Sequence, residues 1–182
     1  MKNRHAGIRH SGYTLVEAGV VTAIVSILTA IGIPQYRDFM AVRSMQAHTS
    51  QLTNSFKLAR TEALKRGAPV SVCLSVDGVS CETDVAMRDW SRGWLVFTDH
   101  EQRGVIDAGD SVLHVQAALE RSGGILAAGS TLYVLTFLPT GGVAGAQNSF
   151  RFAVPPGISA SLERRLCVAS TSAWRITQAG AC

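Results

Sequence analysis

Apolar and polar positions follow three successive patterns along this chain. From Tyr13 to Ile33, 21 residues carry a single charge, Glu17. As a helix rising ~1.5 Å per residue this stretch is about 32 Å long, close to the ~30 Å hydrocarbon core of a bilayer. Beyond Pro34 the apolar positions narrow to one face, with Phe39, Val42, Met45, Leu52, Phe56, Ala59 and Ala63 recurring mostly at helical spacing. The stripe has a gap at His48 and Thr49. Lys65 and Arg66 place cations in a last turn, Gly67 supplies a stop, and Pro69 prevents resumption. The pattern predicts one helix from Tyr13 to about Arg66. Its first part (13–33) is apolar all round, its second part (34–67) is amphipathic, and Gly32 and Pro34 mark the expected kink.

After Pro69 the pattern changes to short β-like runs separated by turn residues. The expected strands are 70–76, 93–98, 111–115, 132–138, 150–154, 165–169 and 174–177. Turn signals between them include Asp77-Gly78, Gly123-Gly124, Gly141-Gly142 and Pro155-Pro156-Gly157. No internal repeat or low-complexity linker interrupts them. The predicted class is α+β: a long N-terminal helix packed on an antiparallel β domain that occupies 68–182.

Charge refines this picture. Three of the 17 basic residues, Lys2, Arg4 and Arg9, precede Gly12, so the chain beyond it carries 14 basic against 13 acidic residues. The formal charge of +4 is therefore poor evidence for a nucleic-acid partner. The same leading cluster orients the apolar span, with residues 1–12 in the cytoplasm and the bulk of the chain outside. An ordinary secretory signal, cleaved among Ala30, Gly32 and Pro34, is the alternative reading of the span. It leaves Glu17 unexplained, because a carboxylate in a membrane helix costs roughly a few kcal/mol unless it is partnered. Charge is also uneven later on: 77–120 holds nine acids and three arginines, whereas 121–182 holds five arginines and one acid, Glu163.

Gly12-Tyr13-Thr14-Leu15-Val16-Glu17 resembles the processing motif of type IV prepilins, and Pro34 resembles the helix-kinking proline of pilins. Tyr13 stands where Phe is usual, and Ala18-Gly19 replaces a bulkier apolar pair. The resemblance implies that a prepilin peptidase cuts after Gly12 and that the new amine of Tyr13 is methylated. It also implies a single pass through a bacterial inner membrane, a periplasmic C-terminal domain, and assembly with other pilins or pseudopilins in a filament. Glu17 lies about one helical turn from the new amine. Pairing with the amine of a neighbouring subunit would neutralise two charges that are expensive in an apolar interior and would fix the register. Snorkelling of Glu17 to the lipid interface is the alternative.

A second set of residues extends the likeness. Arg60-x-Glu62-Ala63, Val70 to Cys73, Trp90-x-x-Gly93-Trp94-Leu95-Val96-Phe97-x-Asp99 and Phe137-x-Pro139-x-Gly141 together resemble the FimT/GspH family of minor pilins and pseudopilins. That family implies two small antiparallel sheets beside the helix, and a subunit of a type IV pilus or of a type II secretion pseudopilus. Trp90, Trp94 and Phe97 themselves read as core aromatics rather than a ligand platform. Some FimT-type proteins bind DNA for uptake in natural transformation through a C-terminal Gly-Arg-x-Arg motif. Here Ser172-Ala173-Trp174-Arg175 occupies the similar place, and only Arg175 matches. Arg164, Arg165 and Arg151 are candidate additions to that DNA site, with Trp174 a candidate for base stacking, although alternation along a strand sends Arg164 and Arg165 to opposite faces.

The four cysteines, Cys73, Cys81, Cys167 and Cys182, allow three pairings. The short-loop choice pairs Cys73 with Cys81 across the Asp77-Gly78 turn and Cys167 with Cys182; free buried thiols are the other reading. No C-x2-C pair, H-E-x-x-H, G-x-S-x-G or phosphate-binding glycine loop occurs, so no catalytic residue, metal or cofactor is expected. Asp99-His100-Glu101 is the one run with metal-ligating types, and on a turn such a run usually faces water.

Overall fold

The computed structural model describes residues 12–84, 86–101, 103–129, 133–145, 148–178, 180 and 182. The chain divides into two compact units with the boundary between Arg37 and Asp38. One helix, α1 (Leu15–Arg66), contributes to both, and helix is assigned continuously through Pro34. It ends where the sequence places its stop: Gly67 adopts φ 65° and its N–H donates to Ala63 O at 3.0 Å.

The first unit is the apolar part of α1. Its large side chains, from Leu15 to Tyr36, are all more than half exposed. The hydroxyls within it are satisfied by the helix itself: Thr22 donates to Ala18 O and Gly19 O, Ser26 to Thr22 O, and Thr29 to Val25 O and Ser26 O. Such back-bonding lets polar side chains sit in an apolar environment without unpaired donors. This is the one helix among the described residues long and apolar enough to cross a membrane.

The second unit holds eight strands: β1 (Val70–Leu74), β2 (Trp94–Thr98), β3 (Val112–Gln116), β4 (Ile125–Gly129), β5 (Val134–Phe137), β6 (Asn148–Phe152), β7 (Arg164–Val168) and β8 (Trp174–Gln178). They form two four-stranded antiparallel sheets, ordered β3-β2-β1-β5 and β4-β6-β7-β8. Strand β4 is absent from the expected set. Its Ile-Leu-Ala-Ala-Gly sequence holds one β-branched residue, Ile125, and no aromatic, too little to mark a strand. Pairing with β6 and burial of Ile125 and Ala127 override that weak propensity.

The C-terminal half of α1 supplies one wall of the core. Met45, Leu52, Phe56, Ala59 and Ala63 meet the inner faces of both sheets, with Val72, Trp94 and Phe137 from one and Phe150, Phe152 and Leu166 from the other. Phe56 sits at the junction, with ring centroids 5.9 Å from Phe137 and 5.3 Å from Phe150, and Trp90 packs edge-on to Phe150 at 5.1 Å. The Trp94 indole N–H donates to Ser55 Oγ at 2.9 Å, so the one polar atom of that ring is paired on the helix. Trp90, Trp94 and Phe97 are all fully buried, as core aromatics should be.

Two details depart from the periodicity. Phe39 is exposed, with the Arg43 guanidinium 5.0 Å over its ring. The gap at His48 and Thr49 is filled by those residues themselves, both buried. Thr49 Oγ1 returns its proton to Met45 O at 2.8 Å, and His48 lies against the backbone of Glu120. Burial holds the His48 imidazole below its ordinary value, and the Glu120 backbone contact only partly opposes this.

In the first sheet β1 and β2 are buried on both faces, while Val112 and Val115 of the edge strand β3 are exposed. Behind this sheet, Cys73, Leu95 and Phe97 are covered by Ile106 and Cys81 from the flanking loops. Asp99, 1% exposed, anchors one of these loops: its carboxylate accepts from Ser71 Oγ and from Gly104 N at 2.9 Å, while Ser71 Oγ also meets Thr136 Oγ1 at 2.6 Å. Gly93, at φ 118°, has no room for a side chain, because a Cβ there would lie 2.7 Å from Gln116 O and 2.9 Å from Ser75 O.

Two stability predictions follow from these contacts. Asp99→Ala leaves the Gly104 N–H without its buried acceptor and the Ser71 hydroxyl with Thr136 as its partner. It should lower the unfolding free energy by roughly 1–3 kcal/mol in urea titration, the cost of one stranded group. His48 is favoured in its neutral form when folded, so its contribution is fully present above pH 6.5, its ordinary value, and is lost as pH falls below it. Stability should therefore decline from pH 7 to pH 5, and His48→Gln should flatten that slope; an unchanged slope refutes the assignment.

Candidate functional site: an assembly segment and an arginine-bearing sheet face

The expected leader, residues 1–12, lies outside the described residues except for Gly12. Gly12, Tyr13 and Thr14 precede α1 in non-helical, exposed backbone, and Tyr13 is 86% exposed. The Gly12–Tyr13 peptide bond is thus accessible and free of helical hydrogen bonding. Thr14 caps the helix: its Oγ1 accepts from Glu17 N at 3.2 Å, in the Thr-x-x-Glu arrangement of a capping box. Glu17 has a local role in starting the helix, and among the described residues no ion pair includes its carboxylate. Pro34 stands inside α1 among exposed neighbours, where it contributes no backbone donor.

Strand register decides which arginines of the C-terminal third share a surface. In the second sheet Leu126, Arg151, Arg165 and Thr177 lie in one row across β4, β6, β7 and β8, and Ala128, Ser149, Cys167 and Arg175 form the next row on the same face. Arg151, Arg165 and Arg175 therefore share the face opposite to Phe150 and Leu166. Arg164 and Trp174 belong to the inner face. Arg164 lines a groove with Met45, Thr49 and Ile176, and Trp174 packs partly buried against the core. Of the four residues named for a DNA site, the register brings Arg165 and Arg175 together and separates Arg164 and Trp174 from them. Arg151 is held by Glu163, whose two carboxylate oxygens lie 3.0 and 3.2 Å from Arg151 Nη1. Arg175 Nη2 donates to Cys182 O at 3.0 Å.

Both cysteine pairs are bridged. Cys73–Cys81 closes the loop in which the Asp77 carboxylate accepts from the backbone N–H groups of Ser80 and Val79, each at 2.9 Å, and from the Ser80 hydroxyl. Those bonds, Ser80 foremost, hold the Asp77 carboxyl well below the usual range. Cys167–Cys182 ties β7 to the segment after β8.

The run Asp99-His100-Glu101 does not converge on a metal position. Asp99 points inward, Glu101 is exposed, and His100 Nδ1 lies 3.0 Å from Asp110 Oδ1. Burial alone would raise the Asp110 carboxyl, but the Asp107 and His100 N–H groups and the His100 ring more than offset this and hold it below its ordinary value. Among the described residues no three His, Cys, Asp or Glu side chains are placed to share a metal ion.

An exposed apolar N-terminal helix whose continuation forms the core wall of an antiparallel β domain defines a pilin-like structural subunit. The family model for Type II transport protein GspH matches residues 48–172, and the chain belongs to that family. A fimbrial protein of Pseudomonas aeruginosa is 28% identical over 123 residues, covering 68% of this chain and 77% of that protein. A type IV major fimbrial protein FimA of Dichelobacter nodosus is 42% identical over 57 residues, 31% of this chain and 35% of its own length, so the chain spans about a third of that relative. In fold, the chain is similar to the crystal structure of the type IV minor pilin FimU of P. aeruginosa, with TM-score 0.50 and 18% identity over 72% of this chain and 91% of that one.

Sequence reasoning did not single out Arg88 or Arg92, which stand beside Arg151 and Arg165. The Phe150-Arg151-Phe152 alternation carried the signal for an outward Arg151, whereas the placement of Arg88 depends on a loop that no periodicity describes.

Replacing both Cys167 and Cys182 by Ser should lower stability by about 2–4 kcal/mol in chemical denaturation under oxidising conditions. An unchanged midpoint would show that the bridge does not form.

Proposed function

We propose that the protein is a minor pilin, cut after Gly12, methylated at Tyr13 and built into a type IV pilus by its apolar helix. The carrying observation is the conjunction at the N-terminus: an accessible Gly12–Tyr13 bond in non-helical backbone, and a single carboxylate, Glu17, three positions into an otherwise apolar helix. Before assembly the helix anchors the subunit in the inner membrane with the β unit in the periplasm, where the two disulfides are stable. Within the filament Glu17 meets the amine of a neighbouring Tyr13, so that both charges enter the apolar interior as a pair. The partners are a prepilin peptidase, which this chain serves as substrate, and other pilins. The role is structural and non-catalytic.

Membership of the GspH family leaves a type II secretion pseudopilus as the second reading. The pilus reading draws its support from the P. aeruginosa fimbrial relative, whose match extends over two thirds of this chain. DNA binding for uptake rests on Arg165 and Arg175, with Arg151 on the same face but paired to Glu163, since Arg164 and Trp174 belong to the other face of the sheet.

Mass spectrometry of the purified protein tests this directly. The expected N-terminus is a methylated Tyr13, and Glu17→Ala should be processed and membrane-bound yet missing from sheared filaments. A product that begins at Met1, or normal incorporation of Glu17→Ala, removes the reading.

A further inference from the structure

Arg151 and Arg165 are directly opposite in the β6–β7 register, an arrangement that makes two cationic side chains neighbours on one sheet face. Like charges in that position are destabilising. Glu163 offsets only Arg151, and Arg165 Nε is buried without a hydrogen-bond partner. These two side chains line an open cleft of about 610 Å³ between the outer face of the second sheet and the loop 86–92. The loop adds Arg88 and Arg92, both exposed, from the opposite wall. Among the described residues the one acid lining the cleft, Asp89, is engaged with backbone: its Oδ1 accepts from Ser91 N at 3.0 Å and Ile125 N at 2.8 Å. The floor is aliphatic, built from Met87, Leu126 and Ala128.

We propose that this cleft is a docking site for an acidic, partly apolar segment of a neighbouring filament subunit, with carboxylates of that segment bridging Arg165 and Arg88. The site rests on the subunit reading above and adds to it a surface, distant in sequence from the N-terminal helix, that chooses the neighbour. A carboxylate between the guanidinium groups relieves the Arg151–Arg165 repulsion in charge-assisted, planar geometry. The occupant is a peptide rather than a nucleic acid for two reasons. Among the described residues the cleft carries no aromatic ring on which a base could stack, and Asp89 and Glu163 together cancel half of its four cations, which disfavours an unbroken line of phosphates. An aliphatic floor flanked by arginines suits side chains that alternate between acidic and apolar.

Full-length protein in detergent micelles is titrated with a fluorescent peptide of alternating Glu and Leu at low ionic strength, with a short oligothymidylate as competitor. The peptide should bind, weaken with added salt, and bind about tenfold more weakly to Arg165→Gln and to Arg88→Gln, the loss expected for one charge-assisted contact. The melting temperature of Arg165→Gln should equal or exceed that of the wild type, because a repulsion has been removed. Three results overturn the proposal: no peptide binding, equal binding by the variants, or an oligonucleotide that displaces the peptide at lower concentration. A fall in melting temperature does so too, since it makes Arg165 a structural residue. Recovery in sheared filaments separates this proposal from the reading beneath it. If the wild type is present and the Arg88→Gln/Arg165→Gln variant is present at the same level, the docking site alone fails; if the wild type is absent, both fail.

Discussion

Neither sheet of the β unit can bury its own inner face, and the stripe of α1 from Met45 to Ala63 is what both are built against. Phe56 makes the dependence concrete, because one ring touches Phe137 of the first sheet and Phe150 of the second. Fully burying such a side chain contributes roughly 1.5–3 kcal/mol, and here the contribution is shared by two sheets that make no strand pairing with each other. The polar pairing of Trp94 with Ser55 fixes the rotation of the helix against β2, a constraint that apolar contact alone does not impose. The helix is therefore a structural member of the β unit before it is anything else.

That arrangement assigns the two parts of one helix to different solvents. Up to Arg37 the apolar residues face outward and the hydroxyls of Thr22, Ser26 and Thr29 bond back to the helix, so the segment is finished with respect to hydrogen bonding and unfinished with respect to apolar burial. From Asp38 onward one apolar stripe, Met45, Leu52, Phe56, Ala59 and Ala63, is covered, while Phe39 and Leu64 stay exposed and His48, Thr49, Thr53 and Ser55 are buried with the stripe. One helix thus joins a segment whose apolar surface is uncovered to a unit whose core is complete.

Much of this was legible in the sequence because it depends on local rules. The end of α1 at Gly67 follows from a glycine free to take positive φ, and the burial of Trp90, Trp94 and Phe97 follows from their size and apolar neighbours. What escaped depended on partners far along the chain. Strand β4 has a composition poor for a strand and exists because β6 offers a ladder. His48 and Thr49 looked like a break in the stripe, yet Thr49 satisfies its hydroxyl on its own helix and His48 meets the Glu120 backbone. The arginine face was half visible: alternation separates Arg164 from Arg165, but only the register shows Arg151 opposite Arg165, and only the loop 86–92 adds Arg88.

The sheet order leaves β8 at an edge, with one side of its backbone facing no strand of its own sheet. Such an edge is a template for unwanted cross-chain pairing, and the danger grows wherever many like domains are held close together, as along a fibre. Arg175 is the second residue of β8, exposed and charged, flanked by Trp174 and Ile176. A guanidinium there makes β-stacking between adjacent copies electrostatically unfavourable, so this edge can be crowded without turning into a seed for amyloid-like growth.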